Sequence, residues 1–217
     1  MSPHICQRIG HGGASALAPA NTLASFEIAH EVGVDMVEFD VRGWRGELVL
    51  AHTVLHALRG RTVRLREALA HLAARRFADL ELNVDVKHGR CESALLEELG
   101  RANLLARTLI SSQVPAVVDC VRALEPSVRT GISIGGRLAR LSRRWDGWRA
   151  QVLTGLGAGR WDALMAQHRL VDASLVADVQ GRGGWLYAWT VNERHAIESL
   201  RRLGVHGIAT ADPRLFA

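Results

Sequence analysis

The 217-residue chain predicts an α/β fold, a single-domain (β/α)8 barrel over residues 1–217. Three observations predict it. Short apolar runs of strand length recur along the whole chain, separated by stretches of helical spacing and by short connections. The count comes to about eight strand–helix units, the number that closes a barrel of parallel strands. His11, Glu38, Asp40, His52, Asp85, Lys87 and Trp189 all fall at or near the C-terminal ends of those runs, where such barrels carry their reactive groups.

Taken in order, Ile5 to Gly10 reads as the first strand, running into His11, where Gly12-Gly13 lets the backbone turn sharply. Pro19 stops further extension. Asn21 or Thr22 caps a helix whose Leu23, Phe26, Ile28 and Ala29 recur at helical spacing, and Gly33 ends it. A strand from Met36 to Val41 follows, then a turn at Gly43-Trp-Arg-Gly46 and a strand from Glu47 to Ala51. Val54 to Val63 reads as a polar, basic connector and Leu65 to Ala74 as a helix.

Leu80 to Lys87 alternates cleanly, with Asn83, Asp85 and Lys87 on one face and Leu82, Val84 and Val86 on the other. Helices at Ser93–Leu99 and Pro115–Leu124 flank strands at Thr108–Ser112 and Arg129–Ile134. Arg137 to Arg160, with Trp145 and Trp148 among arginines and glycines, reads as an amphipathic surface helix capping the barrel, in preference to a lid that touches membrane or substrate. Asp162–Gln167 is a weak strand, Ser174–Gln180 a helix and Trp185–Val191 a clear strand. A last helix runs from Asn192 or Glu193 to Leu203, Gly204 ends it, and Gly207–Thr210 is the final strand.

Composition is that of an ordinary globular protein. The formal charge of +5 is read as spread along the chain in short pairs, Arg75-Arg76, Arg143-Arg144 and Arg201-Arg202. That pattern favours an anionic small-molecule substrate over nucleic acid. Cys6, Cys91 and Cys120 are odd in number, widely spaced and without C-x-x-C spacing, which argues against a disulfide framework and a zinc site. No apolar run is long enough to span a bilayer, so stable membrane insertion is not expected. The first strand starts too early to leave room for a signal peptide, and the expected location is the cytoplasm. The sequence leaves the oligomeric state open.

Glu38 and Asp40 flank Phe39 in an apolar run, so strand alternation points both carboxylates one way and Phe39 the other. Two like charges on one face call for a cation between them, and a hard divalent ion such as Mg²⁺ or Ca²⁺ suits all-oxygen donors. Asp85 repeats the carboxylate theme on a later strand.

The ordered set His11-Gly-Gly, Pro19-Ala-Asn-Thr22 with Phe26, Gly33-Val-Asp-Met-Val-Glu-Phe-Asp40, His52, Asp85-Val-Lys87, Trp189-Thr-Val-Asn192 and Gly204-Val-His-Gly-Ile-Ala-Thr210 resembles the glycerophosphodiester phosphodiesterase family, whose fold is a TIM barrel. The resemblance covers nearly the whole chain. It implies Glu38 and Asp40 as metal ligands, with Asp85 as the third where the family usually has glutamate. It implies His11 and His52 as the general acid/base pair, Lys87 on a phosphate oxygen and Trp189 along the alcohol side of the pocket.

The chain departs from the pattern at Gly12, Ala20 and Thr53, where the family usually has Arg, Glu and Asp, and at Ala211 after Thr210. Loss of the arginine removes a bidentate phosphate clamp that one lysine does not replace. The segment that relatives commonly insert after the second strand is much shortened. Asp85-x-Lys87 is also similar to the sphingomyelinase D-like phospholipases.

The expected function is therefore a metal-dependent hydrolase that cleaves a glycerophosphodiester to an alcohol and glycerol 3-phosphate by histidine acid/base catalysis. The alternatives are a catalytically weakened barrel that binds an anionic phosphate metabolite, and a lysophospholipase D-like or sphingomyelinase D-like enzyme.

Overall fold

The computed structural model describes residues 6–59, 62–135 and 147–217. Ile5 of the expected first strand, Gly60 and Arg61 within the expected connector, and the stretch from Arg137 to Asp146 lie outside the described residues.

Eight parallel strands form the barrel: β1 (Gln7–His11), β2 (Met36–Trp44), β4 (Glu81–Val86), β5 (Thr108–Ser112), β6 (Arg129–Ile134), β7 (Ala163–Gln167), β8 (Trp185–Trp189) and β9 (Gly207–Thr210). Each pairs with the next, and β9 returns to β1, which closes the ring. The crossover helices are α1 (Leu23–Val32), α3 (Leu65–Leu72), α4 (Glu92–Arg101), α5 (Pro115–Leu124), α6 (Trp148–Gly157), α7 (Ala173–Gln180) and α8 (Arg194–Leu203). This is the expected (β/α)8 architecture.

Strand periodicity sorts the core into two regions. Inward positions at the N-terminal strand ends, among them Ile9, Met36, Leu109, Tyr187 and Ala209, plug the barrel with apolar side chains. Outward positions such as Phe39, Leu82 and Val84 pack with Phe26, Leu69 and Leu95 of the helices. The inward residues turn polar toward the C-terminal ends: Ile9 is followed by His11, and Met36 by Glu38 and Asp40. The barrel is thus sealed at one end and chemically equipped at the other.

Three expectations change. The Glu47–Leu50 strand, β3, is not a unit of the parallel alternation; it pairs antiparallel with β2, joining Trp44 to Glu47. The connection is too short for a parallel crossover, and Arg45 (φ 49°) and Gly46 (φ 82°) turn it as a hairpin. The expected connector after His52 opens with a short helix, α2 (Val54–Leu58), started by Thr53, whose hydroxyl accepts the His56 N–H. In the Arg137–Arg160 region, α6 is no cap over the barrel. It is the crossover from β6 to β7, burying Val152, Leu153 and Leu156, with Gly155 so close to Trp161 that a Cβ there would stand 2.6 Å from the indole.

Candidate active site

The parallel register does what sequence spacing alone cannot. It sets Asp40 beside Asp85 and Glu38 beside Asn83, and His11 beside Glu38. Glu38, Asp40 and Asp85 are all buried, and one oxygen from each falls within 4.8 Å of the others. Lys87, just past β4, donates its backbone N–H to Val41 and brings its ammonium 2.5 Å from Asp40 Oδ1 and onto Asp85 Oδ2.

Each carboxylate is held in place. Glu38 Oε2 accepts the Gly12 backbone N–H at 2.9 Å. Asp40 Oδ2 accepts from Asn21 Nδ2 at 2.8 Å, while Asn21 Oδ1 takes the Asp40 backbone N–H at 2.9 Å. Ser111 donates to Asp85 Oδ1 at 2.9 Å and accepts from Asn83 Nδ2 at 3.0 Å. The sequence reading placed Asn83 on the polar face of its strand. It missed Ser111, and it read Asn21 only as a helix cap. The cap is Thr22, which exchanges hydrogen bonds with Ser25, and Asn21 instead takes a left-handed conformation (φ 61°) that turns its amide onto Asp40.

The two histidines attach to different carboxylates. His11 Nδ1 lies 2.8 Å from Glu38 Oε2, and His52 Nδ1 lies 3.2 Å from Asp40 Oδ1. Burial works against a charged His11, but Glu38 outweighs it and its pKa rises to about 9. Burial would also raise the Asp40 carboxyl, yet the hydrogen bond from His52 and the Lys87 charge hold it well below the usual range. Asp85 moves up because its burial outweighs the pull of Lys87, and Glu38 and Asp40 add to the rise. Burial opposes the Lys87 cation, but Asp85, Asp40 and Glu38 raise its pKa.

A cavity of about 90 Å³ lies over this cluster, with Met165, Trp189 and Ala209 on its apolar wall. The Trp189 indole N–H is taken by the Met165 carbonyl at 3.0 Å, so the ring offers the cavity a surface and no free donor. A larger cavity of about 520 Å³ opens from His11, Asp40 and His52 toward Ser15, His56 and Arg59. His168, just past β7, lines neither cavity. Gly12 (φ 59°) contributes only its backbone N–H to the site.

Three buried carboxylates converging beside a single ammonium form an under-neutralised, all-oxygen donor set. A hard divalent cation fits it, and neither sulfur nor imidazole stands among the three donors.

The model of the glycerophosphoryl diester phosphodiesterase family matches residues 11–81 and 80–215. A glycerophosphodiester phosphodiesterase of Caldanaerobacter subterraneus is 25% identical over 94% of this chain and 93% of that protein. Among solved structures, the Thermotoga maritima glycerophosphodiester phosphodiesterase superposes with a TM-score of 0.75 at 20% identity, covering 98% of each chain. An Oleispira antarctica phosphodiesterase, solved in complex with the product sn-glycerol-3-phosphate, gives 0.76 at 22% identity over 96% of this chain and 94% of that one.

Proposed function

The chain belongs to the glycerophosphoryl diester phosphodiesterase family, and from that premise we propose that it hydrolyses a glycerophosphodiester to an alcohol and glycerol 3-phosphate, with His11 and His52 moving the protons. The observation that carries this reading is the pair of imidazoles, each tied through Nδ1 to a different carboxylate of one cluster. With Nδ1 engaged, Nε2 is the ring atom left to face a substrate. One imidazole takes the proton of the attacking oxygen, and the other gives a proton to the alkoxide as the phosphorus–oxygen bond to the alcohol breaks.

Glu38, Asp40 and Asp85 would hold Mg²⁺ or Ca²⁺, which would neutralise the charge that builds on the phosphoryl oxygens. Lys87 carries a fixed positive charge into the same cavity and binds the phosphate of the diester. Trp189 and Met165 give the alcohol portion an apolar surface. The test is release of glycerol 3-phosphate and free alcohol from glycerophosphodiesters by purified protein with Mg²⁺ or Ca²⁺. No release from any of them, with His11→Ala and His52→Ala indistinguishable from the parent, overturns the reading.

Gly12 favours a second reading, a barrel that binds an anionic phosphate metabolite without turning it over. No side chain at that position reaches the phosphate. Ligand-dependent thermal stabilisation with no product, in the presence of either metal, would select it.

A further inference from the structure

The hairpin and short helix beside the catalytic mouth form a unit with an unusual surface. Val54, Leu55 and Leu58 of α2 are 47%, 55% and 56% exposed, three of the six large apolar residues exposed among the described residues. At 100° per residue they share one stripe. On another side of the same helix Ala57 is buried against Val49, Ala51 and Trp44 of the hairpin, so the unit is anchored while its apolar stripe faces out.

The chain's formal excess of positive charge falls in the sequence around the same unit. The sequence reading spreads the basic excess over arginine pairs, but residues 42–66 contain six arginines and a single acid, Glu47, and the remainder of the chain is formally neutral. Of these arginines, Arg42, Arg45 and Arg59 belong to the hairpin and to the end of α2, while Arg64 and Arg66 stand at the start of α3. Glu47 is taken by Arg64 and Arg66, and among the described residues no ion pair engages Arg45 or Arg59, which stand at the turn of the hairpin and the end of α2.

We propose that the β2–β3 hairpin and α2 dock on an anionic lipid surface. Val54, Leu55 and Leu58 enter the boundary between headgroups and acyl chains while Arg45 and Arg59 meet the lipid phosphates. Exposed aliphatic side chains interleaved with arginine are what an interfacial helix requires. Nucleic acid would use the charge and leave the aliphatic stripe in water. A second copy carries the same excess of +5, so two copies repel in place of attracting. No helix among the described residues is long and apolar enough to cross a membrane, so the contact is peripheral. His56 and Arg59 line the 520 Å³ cavity, so docking would turn the approach to His52 toward the lipid.

The experiment is flotation of the full chain with vesicles of phosphatidylcholine alone and of phosphatidylcholine mixed with phosphatidylglycerol. The expected result is binding to the mixed vesicles only, released by salt. Leu55→Ser/Leu58→Ser should lower the partition coefficient about tenfold or more, and Arg45→Gln about fivefold. Leu124→Ser, an equally exposed leucine at the C-terminal end of α5 and so at the far end of the barrel, should change nothing. A single Leu58→Gln variant replaces the double variant if the latter loses its thermal transition. Equal binding to both vesicle types, binding to neither, or binding to mixed vesicles that survives loss of Leu55 and Leu58 overturns the proposal. So does tighter binding to single-stranded DNA that is indifferent to the leucines.

Discussion

His11 Nδ1 and Glu38 Oε2 are 2.8 Å apart, and that same oxygen accepts the backbone N–H of Gly12. The carboxylate therefore fixes the orientation of an imidazole and the turn that follows it, besides being one of three converging acids. Glu38→Gln keeps the shape but removes the charge that holds the His11 proton. We expect kcat to fall by at least about 100-fold, since loss of a positioned acid or base costs roughly that much. His11→Ala added to it should cost little more, because the two act as one unit. Steady-state kinetics on the single and double variants check this; additive losses would show that the contact does not serve catalysis.

That relationship was partly legible in the sequence. Alternation around Phe39 put Glu38 and Asp40 on one face, and alternation in the next barrel strand did the same for Asn83, Asp85 and Lys87. Strand period gives the face but not the register, which depends on how segments about 45 residues apart slide against each other. Only the register places Asp40 beside Asp85 and lets one ammonium touch both. The sequence places a strand at Glu47–Ala51 but not its direction, because a short apolar run has the same pattern whether it pairs parallel or antiparallel. Asn21 escaped because its neighbour Thr22 is an equally good cap, and left-handed backbone carries no mark in sequence beyond tolerance for asparagine.

Asn21 yields the next prediction. Its amide satisfies both the Asp40 carboxylate and the Asp40 backbone N–H, and all three groups are buried. Asn21→Ala strands a donor and an acceptor, a loss of about 1–3 kcal/mol. A fall in the urea midpoint, with kcat reduced more than KM, is the expected signature. A variant as stable and active as the parent would mean that Asp40 finds other partners.

Metal should act on stability as well as turnover. A cation that binds the folded cluster and not the unfolded chain adds about 2.7 kcal/mol when present at roughly a hundred times its dissociation constant. Mg²⁺ or Ca²⁺ should therefore raise the thermal midpoint, a chelator should reverse the rise, and Asp85→Asn should abolish it. A midpoint indifferent to both ions would remove Glu38, Asp40 and Asp85 from the role of ligands.

Asp35 gives a pH dependence far from the chemistry. It accepts from the Arg8 backbone at 2.7 Å and from its guanidinium at 2.8 and 3.0 Å, tying β1 to the turn before β2. Burial would raise its pKa, but the bonds and charge of Arg8 lower it below the ordinary value of 3.8. A depressed carboxyl stabilises the fold above its unfolded pKa, and that contribution is lost as pH falls through the folded value. Both side chains are more than a third exposed, so screening limits the effect to about 1 kcal/mol. Asp35→Asn should be less stable than the parent at neutral pH by this amount, and the gap should close in acid. Urea titrations of both proteins at neutral and acidic pH measure it; a gap that ignores pH would assign the loss to packing.

Gly12 stands where the family resemblance implies an arginine, and its backbone explains why the exchange is not a simple deletion. At φ 59° it occupies the left-handed region, and a Cβ there would lie 3.0 Å from the Ala20 Cβ. Its N–H already serves Glu38. Gly12→Arg must therefore strain the turn, at about 1–2 kcal/mol, or rotate it and release Glu38 from that bond. Either way the added guanidinium comes at the expense of the carboxylate it would stand beside. The expected result is a lower thermal midpoint with no decrease in KM for a glycerophosphodiester. An unchanged midpoint together with a lower KM would show instead that the turn relaxes and that a phosphate clamp can be added back to this chain by one substitution.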